Sequence, residues 1–207
     1  MFDAVERYLA AREAERDRIE PARRGELDAL AESVRAILAT AGRLDFVFVC
    51  THNSRRSHLG QVWAKIAAER SGVEGVDTFS GGTEVTACHP NTLAAFERAG
   101  LEVETPDDGG ANPVHEVRYA VDRPPLSCWS KRFDDAANPP QGFVAVLTCD
   151  SAAEACPFVP GAVLRVPVLY EDPKLFDGTA GEVEAYDARC AQVAREMLYL
   201  FGHASPA

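Results

Sequence analysis

Apolar residues recur along this chain at two alternating periods. Residues 45–50 (DFVFVC), aromatic and β-branched over Phe46 to Val49, read as a buried strand. From Ser57 onward, Leu59, Val62, Trp63, Ile66 and Ala67 share one helical face, and Gly72 follows as a stop. A second strand is expected at Val76 to Ser80, and Gly81-Gly82 after it would permit a tight turn. His89-Pro90-Asn91 then starts a helix through Ala99, stopped by Gly100. Residues 105–112 are polar and turn-like. Val114 to Val121 has strand character, Pro124-Pro125 breaks it, and Leu126 to Phe133 returns as a hairpin. Phe143 to Cys149 and Val163 to Val168 complete the strands. A last helix over 180–201 carries Val183, Tyr186, Cys190, Val193, Met197 and Phe201 on one stripe. This alternation predicts an α/β fold with a doubly wound, four-stranded parallel sheet, whose functional site lies at the carboxyl ends of the strands.

Residues 1–44 read as two helices ahead of that unit. Phe2, Val5 and Leu9 form a short stripe. Pro21 opens a second helix, in which Leu27, Leu30, Val34, Ile37, Leu38 and Ala41 form a broader one. The stripes suit either a hairpin packed on the core or a contact between two copies in a homodimer. A net charge of −11 argues against nucleic acid and acidic membranes as partners. No apolar run approaches membrane-spanning length and the N-terminus carries no signal-like apolar region, so a cytoplasmic protein is expected. Six cysteines in 207 residues suggest reduced thiols rather than a disulfide scaffold. Cys190 falls on a core stripe, and Cys88 and Cys128 read as bystanders.

Cys50 and Arg56 bracket five residues between the first strand and its helix. The spacing alone is weak; its place between strand and helix gives it meaning. The N–H groups of Thr51, His52, Asn53, Ser54, Arg55 and Arg56 can curl into an anion nest, reinforced by the helix N-terminus. Arg56 offers a planar fork to two oxygens of a tetrahedral oxyanion. The same field favours a nucleophilic thiolate at Cys50.

The segment VCTHNSRRSHLGQVW resembles the phosphate loop of the low-molecular-weight phosphatase superfamily, which includes protein tyrosine phosphatases and thioredoxin-coupled arsenate reductases. Two further segments extend the resemblance, over about residues 44–201. In VLTCDSAAEACPFVP, Cys149 and Cys156 resemble the second and third redox cysteines of the arsenate reductases. If 150–155 is helical, the two lie about 10 Å apart at ~1.5 Å per residue. A disulfide needs Cα atoms within about 7 Å, so the segment would have to unwind to form one. Two buried structural thiols would also fit the residues; a zinc pair lacks a second Cys/His pair at ligand spacing. In LYEDPKLFDG, Asp172-Pro173 resembles the general-acid loop, although an Asp-Pro turn alone is common.

The resemblance divides the chain into a helical extension (1–44) and a catalytic domain (45–207) with an insertion near 107–142, which would cover the phosphate loop or extend the sheet edge. It implies catalytic roles for Cys50, Ser57, Arg56, Asp172, Cys149 and Cys156, with Ser57 hydrogen-bonded to the Cys50 sulfur. It implies arsenate reduction through a Cys50/Cys149/Cys156 cascade, with thioredoxin as reductant and no bound cofactor. Phosphomonoester hydrolysis through a phosphocysteine at Cys50 is the alternative, and a non-enzymatic oxyanion or redox sensor is a third reading. Several positions depart from the pattern. His52 stands where many relatives carry glycine, so any strained backbone there must be tolerated by a histidine, and Arg55 adds charge at the rim. Some relatives bind potassium through the loop Asn and a helix Glu. Asn53 matches but Gln61 replaces the Glu, so no metal is expected. Lys174 and Leu175 stand where phosphatases carry an aromatic wall, for which Tyr170 and Phe176 would partly compensate.

Overall fold

The computed structural model of the chain describes residues 1–106, 110–155 and 158–205. Four parallel strands form the main sheet: β1 (Leu44–Cys50), β2 (Val76–Gly82), β6 (Phe143–Leu147) and β7 (Ala162–Pro167). Their order is β2-β1-β6-β7, so the two fully buried strands lie at the centre. The register sets Cys50 beside Gly82 and Val49 beside Leu147. The ends of β1 and β2, the residues after β6 and those after β7 therefore meet at one edge, as the doubly wound reading expects.

Alternation along β1 divides the core. Phe46 and Phe48 face a large cluster with Trp63, Ile66, Phe96 and Phe201. That cluster is closed by α3 (Arg56–Arg70), α4 (Pro90–Arg98) and α6 (Glu182–Ala204). Val47 and Val49 face a smaller cluster with Leu147, Cys149 and Ala152, covered by the short α5 (Asp150–Ala155).

The N-terminal residues fold as α1 (Asp3–Glu13) and α2 (Pro21–Ala41). Their stripes turn inward: Val5, Leu9, Leu27, Leu30 and Val34 join the large cluster. Tyr8 stacks on Trp63 at 5.1 Å. Their charges pair outward: Arg70 reaches Glu6 at 2.8 Å and Glu13 at 3.1 Å, and Arg195 reaches Glu15 at 3.1 Å. The Arg70 pairs, about a third exposed, contribute little, so apolar burial is the main force that docks these helices. No helix among the described residues is long and apolar enough to cross a membrane.

A second, antiparallel sheet has the order β3-β4-β5, from β3 (Glu102–Glu104), β4 (His115–Arg118) and β5 (Leu126–Cys128). The expected hairpin is β4–β5, shorter than its sequence pattern, and β3 was not legible. Beyond β5 the chain leaves the hairpin and runs beside the end of β2, where Arg132 bridges Gly82. Gly82 N–H donates to the Lys131 carbonyl and Phe133 N–H to that of Gly82. This contact corrects the expected role of Gly81-Gly82. Both lie within β2 rather than in a turn, and what they provide is close approach. A Cβ on Gly81 would meet the Phe133 Cα at 2.3 Å, and one on Gly82 the Thr51 carbonyl oxygen at 2.7 Å.

Candidate active site

Cys50 closes β1 and Arg56 opens α3, so residues 51–55 must turn the chain through the gap. Their carbonyls are held from outside. Thr83 N–H donates to the Cys50 carbonyl, Glu84 N–H to that of Thr51, and His89 N–H to that of Ser54. The Ser130 hydroxyl donates to the His52 carbonyl at 2.7 Å. In a trans peptide the N–H lies opposite the C=O, so the amides of Thr51, His52, Asn53 and Arg55 turn into the concavity. A ring of inward N–H groups at a helix start is an anion nest.

The strained position in this turn is Asn53, with φ 44°, and not His52. Asparagine tolerates the left-handed region better than most residues. Its side chain is fixed at both ends: Oδ1 accepts from the Lys131 N–H at 2.9 Å, and Nδ2 donates to Ser57 Oγ at 2.8 Å. Ser57 Oγ lies 3.1 Å from Cys50 Sγ. Accepting from Asn53 leaves its single proton available to donate to the sulfur. Cys50 itself is buried, at 4% exposure.

Arg56 Nη1 donates to the Tyr170 carbonyl at 2.9 Å and Nη2 to Asp172 Oδ2 at 2.6 Å. Its Nε is buried with no hydrogen-bond partner among the described residues, a donor left over for an incoming oxyanion. Asp172 caps a 3-10 turn, Pro173–Phe176, by accepting from the Lys174 N–H at 3.1 Å. On the far side, Thr51 Oγ1 lies 3.5 Å from Cys149 Sγ, and Cys149 joins Cys50 in the smaller core cluster. Cys149 precedes α5, and its sulfur accepts from the Ala152 N–H at 3.4 Å. The helical turn expected over 150–155 is present; Cys156 lies outside the described residues. Cys50, Asn53, Arg56, Ser57, Cys149 and Asp172 are thus brought to one edge of the sheet.

Several expectations change. Arg55 is no rim charge. Its Nε donates to Tyr186 Oη at 2.6 Å and its Nη2 to Asp177 Oδ2 at 2.8 Å. Tyr170 forms no wall for a substrate, because it is buried and Arg23 lies over its ring. Phe176 does remain exposed. At the position where some relatives bind potassium, both side-chain oxygens accept hydrogen bonds from the protein. Asn53 Oδ1 is taken by Lys131, and Gln61 Oε1 accepts from Ser80 Oγ at 2.6 Å. No cluster of metal-ligating side chains occurs among the described residues. Within the described part of the insertion, residues 130–133 run beside the end of β2 and hold the loop through the Ser130 hydroxyl and the Lys131 N–H.

The sequence reading missed Lys131, whose ammonium is buried 3.9 Å from the Trp129 ring centre and pushed down to about 8 by burial. It also missed His58, buried behind the loop with Nδ1 3.2 Å from Ser80 Oγ. Burial, helped by the charge of Lys131, pushes this imidazole from 6.5 down to about 3. A folded value below the unfolded one means that the neutral ring stabilises the fold above pH 6.5. That contribution is lost as pH falls from 6.5 toward 3. At about 1.4 kcal/mol per unit, a few kcal/mol are at stake. Urea midpoints measured from pH 7 to pH 4 should fall steeply for the wild type and more gently for His58→Gln; parallel curves would refute the assignment.

No family model matches the chain. Among curated proteins, an arsenate reductase of Bacillus licheniformis is 25% identical over 154 residues, covering 74% of this chain and 91% of that one. An arsenate reductase of Bacillus subtilis is 28% identical over 142 residues, covering 69% and 83%. Over these lengths the chain is similar to the arsenate reductases of the low-molecular-weight phosphatase superfamily. A solved arsenate reductase in the phosphate-binding state aligns with 76% of this chain and 96% of its own, at 19% identity and a TM-score of 0.49. The segments that resemble that superfamily in sequence, Cys50–Ser57, Cys149 and Asp172-Pro173, are those the fold gathers at one edge of the sheet.

Proposed function

We propose that this protein is an arsenate reductase, with Cys50 as nucleophile and thioredoxin as the reductant that restores it. The observation that carries the reading is a second thiol, Cys149, packed into the same small cluster as Cys50 and linked to the loop through Thr51. Hydrolysis of a phosphoester needs no second thiol; reduction of arsenic(V) needs two electrons, and a thiol pair supplies them. The relatives named arsenate reductases support the same choice.

Arsenate is held by the loop amides and by the spare Nε of Arg56. The Cys50 sulfur attacks arsenic while Asp172 protonates the departing oxygen, which leaves as water. The Cys149 thiolate then attacks the Cys50 sulfur. The S–As bond breaks with its electron pair on arsenic, releasing arsenite and leaving a Cys50–Cys149 disulfide. Cys156 attacks Cys149 in turn, frees Cys50, and leaves Cys149–Cys156 for thioredoxin to reduce by exchange. Ser57 holds the Cys50 sulfur; Asn53 holds Ser57 and the turn. His52 and Ser54 act through their backbone.

A second reading, phosphomonoester hydrolysis, draws on a cavity of about 330 Å³ beside the loop, lined by His52, Ser54, Arg55, His89 and Lys174 among others. It is ample for an organic group attached to a bound phosphate. The deciding assay follows NADPH oxidation with thioredoxin and thioredoxin reductase, with and without arsenate, on wild type, Cys149→Ser and Cys156→Ser. Arsenate-dependent turnover lost in both variants, with weak aryl phosphate cleavage unchanged, is the expected result. Strong aryl phosphate cleavage in all three, with no arsenate response, would make the protein a phosphatase.

A further inference from the structure

We infer that Asp177 is a positioning residue for Asp172, acting through a clamp with Arg55 and Tyr186. The inference rests on the reading of Asp172 as the general acid. Two consecutive arginines at the start of α3 grip the two ends of the acid loop. Arg56 holds the front end, at the Tyr170 carbonyl and Asp172. Arg55 holds the back end, at Asp177 Oδ2. Tyr186 Oη accepts from Arg55 Nε and donates to Asp177 Oδ1 at 2.7 Å, so both carboxylate oxygens are fixed. The His89 ring stacks on Tyr186 at 5.4 Å, with its Nε2 3.7 Å from Asp177 Oδ2.

Packing holds the stretch between the two grips mainly at Pro173, which is buried; Leu175 is 78% exposed and Phe176 48%. Its backbone is a single 3-10 turn, closed by the Asp177 N–H on the Lys174 carbonyl at 3.0 Å. The polar grips therefore set where Asp172 stands.

The front grip is weakened during the reaction. An oxyanion in the nest competes for the Arg56 fork, and Asp172 must release Nη2 to carry a proton to the departing oxygen. The back grip stays, because the Arg55 guanidinium is committed to Asp177 and Tyr186, away from the anion. With Asp177 fixed, Asp172 can let go of Arg56 without leaving the site. Without that grip the acid moves with a solvent-exposed turn, and a displacement of about 1 Å costs on the order of a hundredfold in rate.

The test is a single turnover of the reduced, full-length protein with arsenate, quenched in time and read by mass as loss of two hydrogens on disulfide formation. Wild type, Asp172→Asn, Asp177→Asn, the double variant and Tyr186→Phe are compared, together with competition by inorganic phosphate. Asp177→Asn is expected to be roughly ten- to a hundredfold slower, with phosphate competition within about twofold of wild type because the nest is untouched. Tyr186→Phe, which keeps the ring and loses one bond, falls between. The double variant is no slower than Asp172→Asn alone, since a positioning residue has nothing left to position. Asp177→Asn at the wild-type rate, multiplying losses in the double variant, or phosphate binding lost in parallel would each overturn the inference. Asp172→Asn at the wild-type rate would instead refute the acid assignment, and the clamp with it. A wild type that forms no disulfide with arsenate would refute the reductase reading. The same five proteins on phenyl phosphate would then judge the clamp by the same order of rates.

Discussion

Replacing Cys50 by serine should abolish arsenate-dependent turnover, a loss of at least about 10⁴-fold, while leaving the oxyanion bound. The substitution keeps a small polar atom at the end of β1, within reach of Ser57. It removes the sulfur at the start of the loop that attacks arsenic and then serves as one half of a disulfide. An alkoxide forms far less readily than a thiolate, and oxygen cannot enter the exchange that passes electrons to Cys149. Binding is a separate matter. The inward amides belong to the backbone of residues 51–55, and Arg56 is unchanged. Calorimetric titration with inorganic phosphate should therefore give a Kd within a few-fold of wild type, beside an assay with no measurable NADPH oxidation. Turnover of even a few per cent in Cys50→Ser would move the nucleophile elsewhere. Loss of phosphate binding would mean that the variant disturbed the loop and not only the chemistry.

The parts of this site that sequence made legible are those set by local rules. An apolar strand, a five-residue turn and an amphipathic helix in succession place Cys50 and Arg56 without knowledge of the rest of the chain. Asp172-Pro173 and the helical turn after Cys149 are local in the same sense. The missed features are tertiary. Arg55 finds Tyr186 131 positions away, and in the sequence Tyr186 is one apolar tooth of a helical stripe. Periodicity reports that a side chain is buried; it does not report which polar group its hydroxyl meets. Tyr170 failed for the complementary reason. It sits next to the acid loop in sequence, but its side chain turns to the Arg23 side, behind the site. Where this turn enters the left-handed region was not legible either: the residue is Asn53, whose amide is held by a serine on α3 and by a backbone N–H from the insertion. That second partner could not be found from the loop alone. Lys131 was missed because a lysine flanked by polar residues gives no sign of burial until the segment is seen pressed against β2.

Arg56→Lys should cost about 10³-fold in kcat/KM, spread over both terms, although charge is conserved. Arg56 does three things at once that a single ammonium cannot. It ties the Tyr170 carbonyl, it holds Asp172 in the resting site, and it keeps Nε free. A lysine has one compact head. Paired with Asp172, it leaves the anion to the amides and KM rises; turned to the anion, it leaves the acid loop held only at Asp177 and kcat falls. The loss of planar, two-point contact to the oxyanion adds to either outcome, because a point charge does not orient the tetrahedral group for attack by Cys50. Steady-state arsenate kinetics on Arg56→Lys, with a phosphate titration alongside, separate these effects. Weaker phosphate binding by about tenfold, with the remaining loss in kcat, is the expected division. A variant that binds phosphate normally and turns over within tenfold of wild type would show that the loop amides alone hold and orient the anion, and that Arg56 serves chiefly to anchor the acid loop.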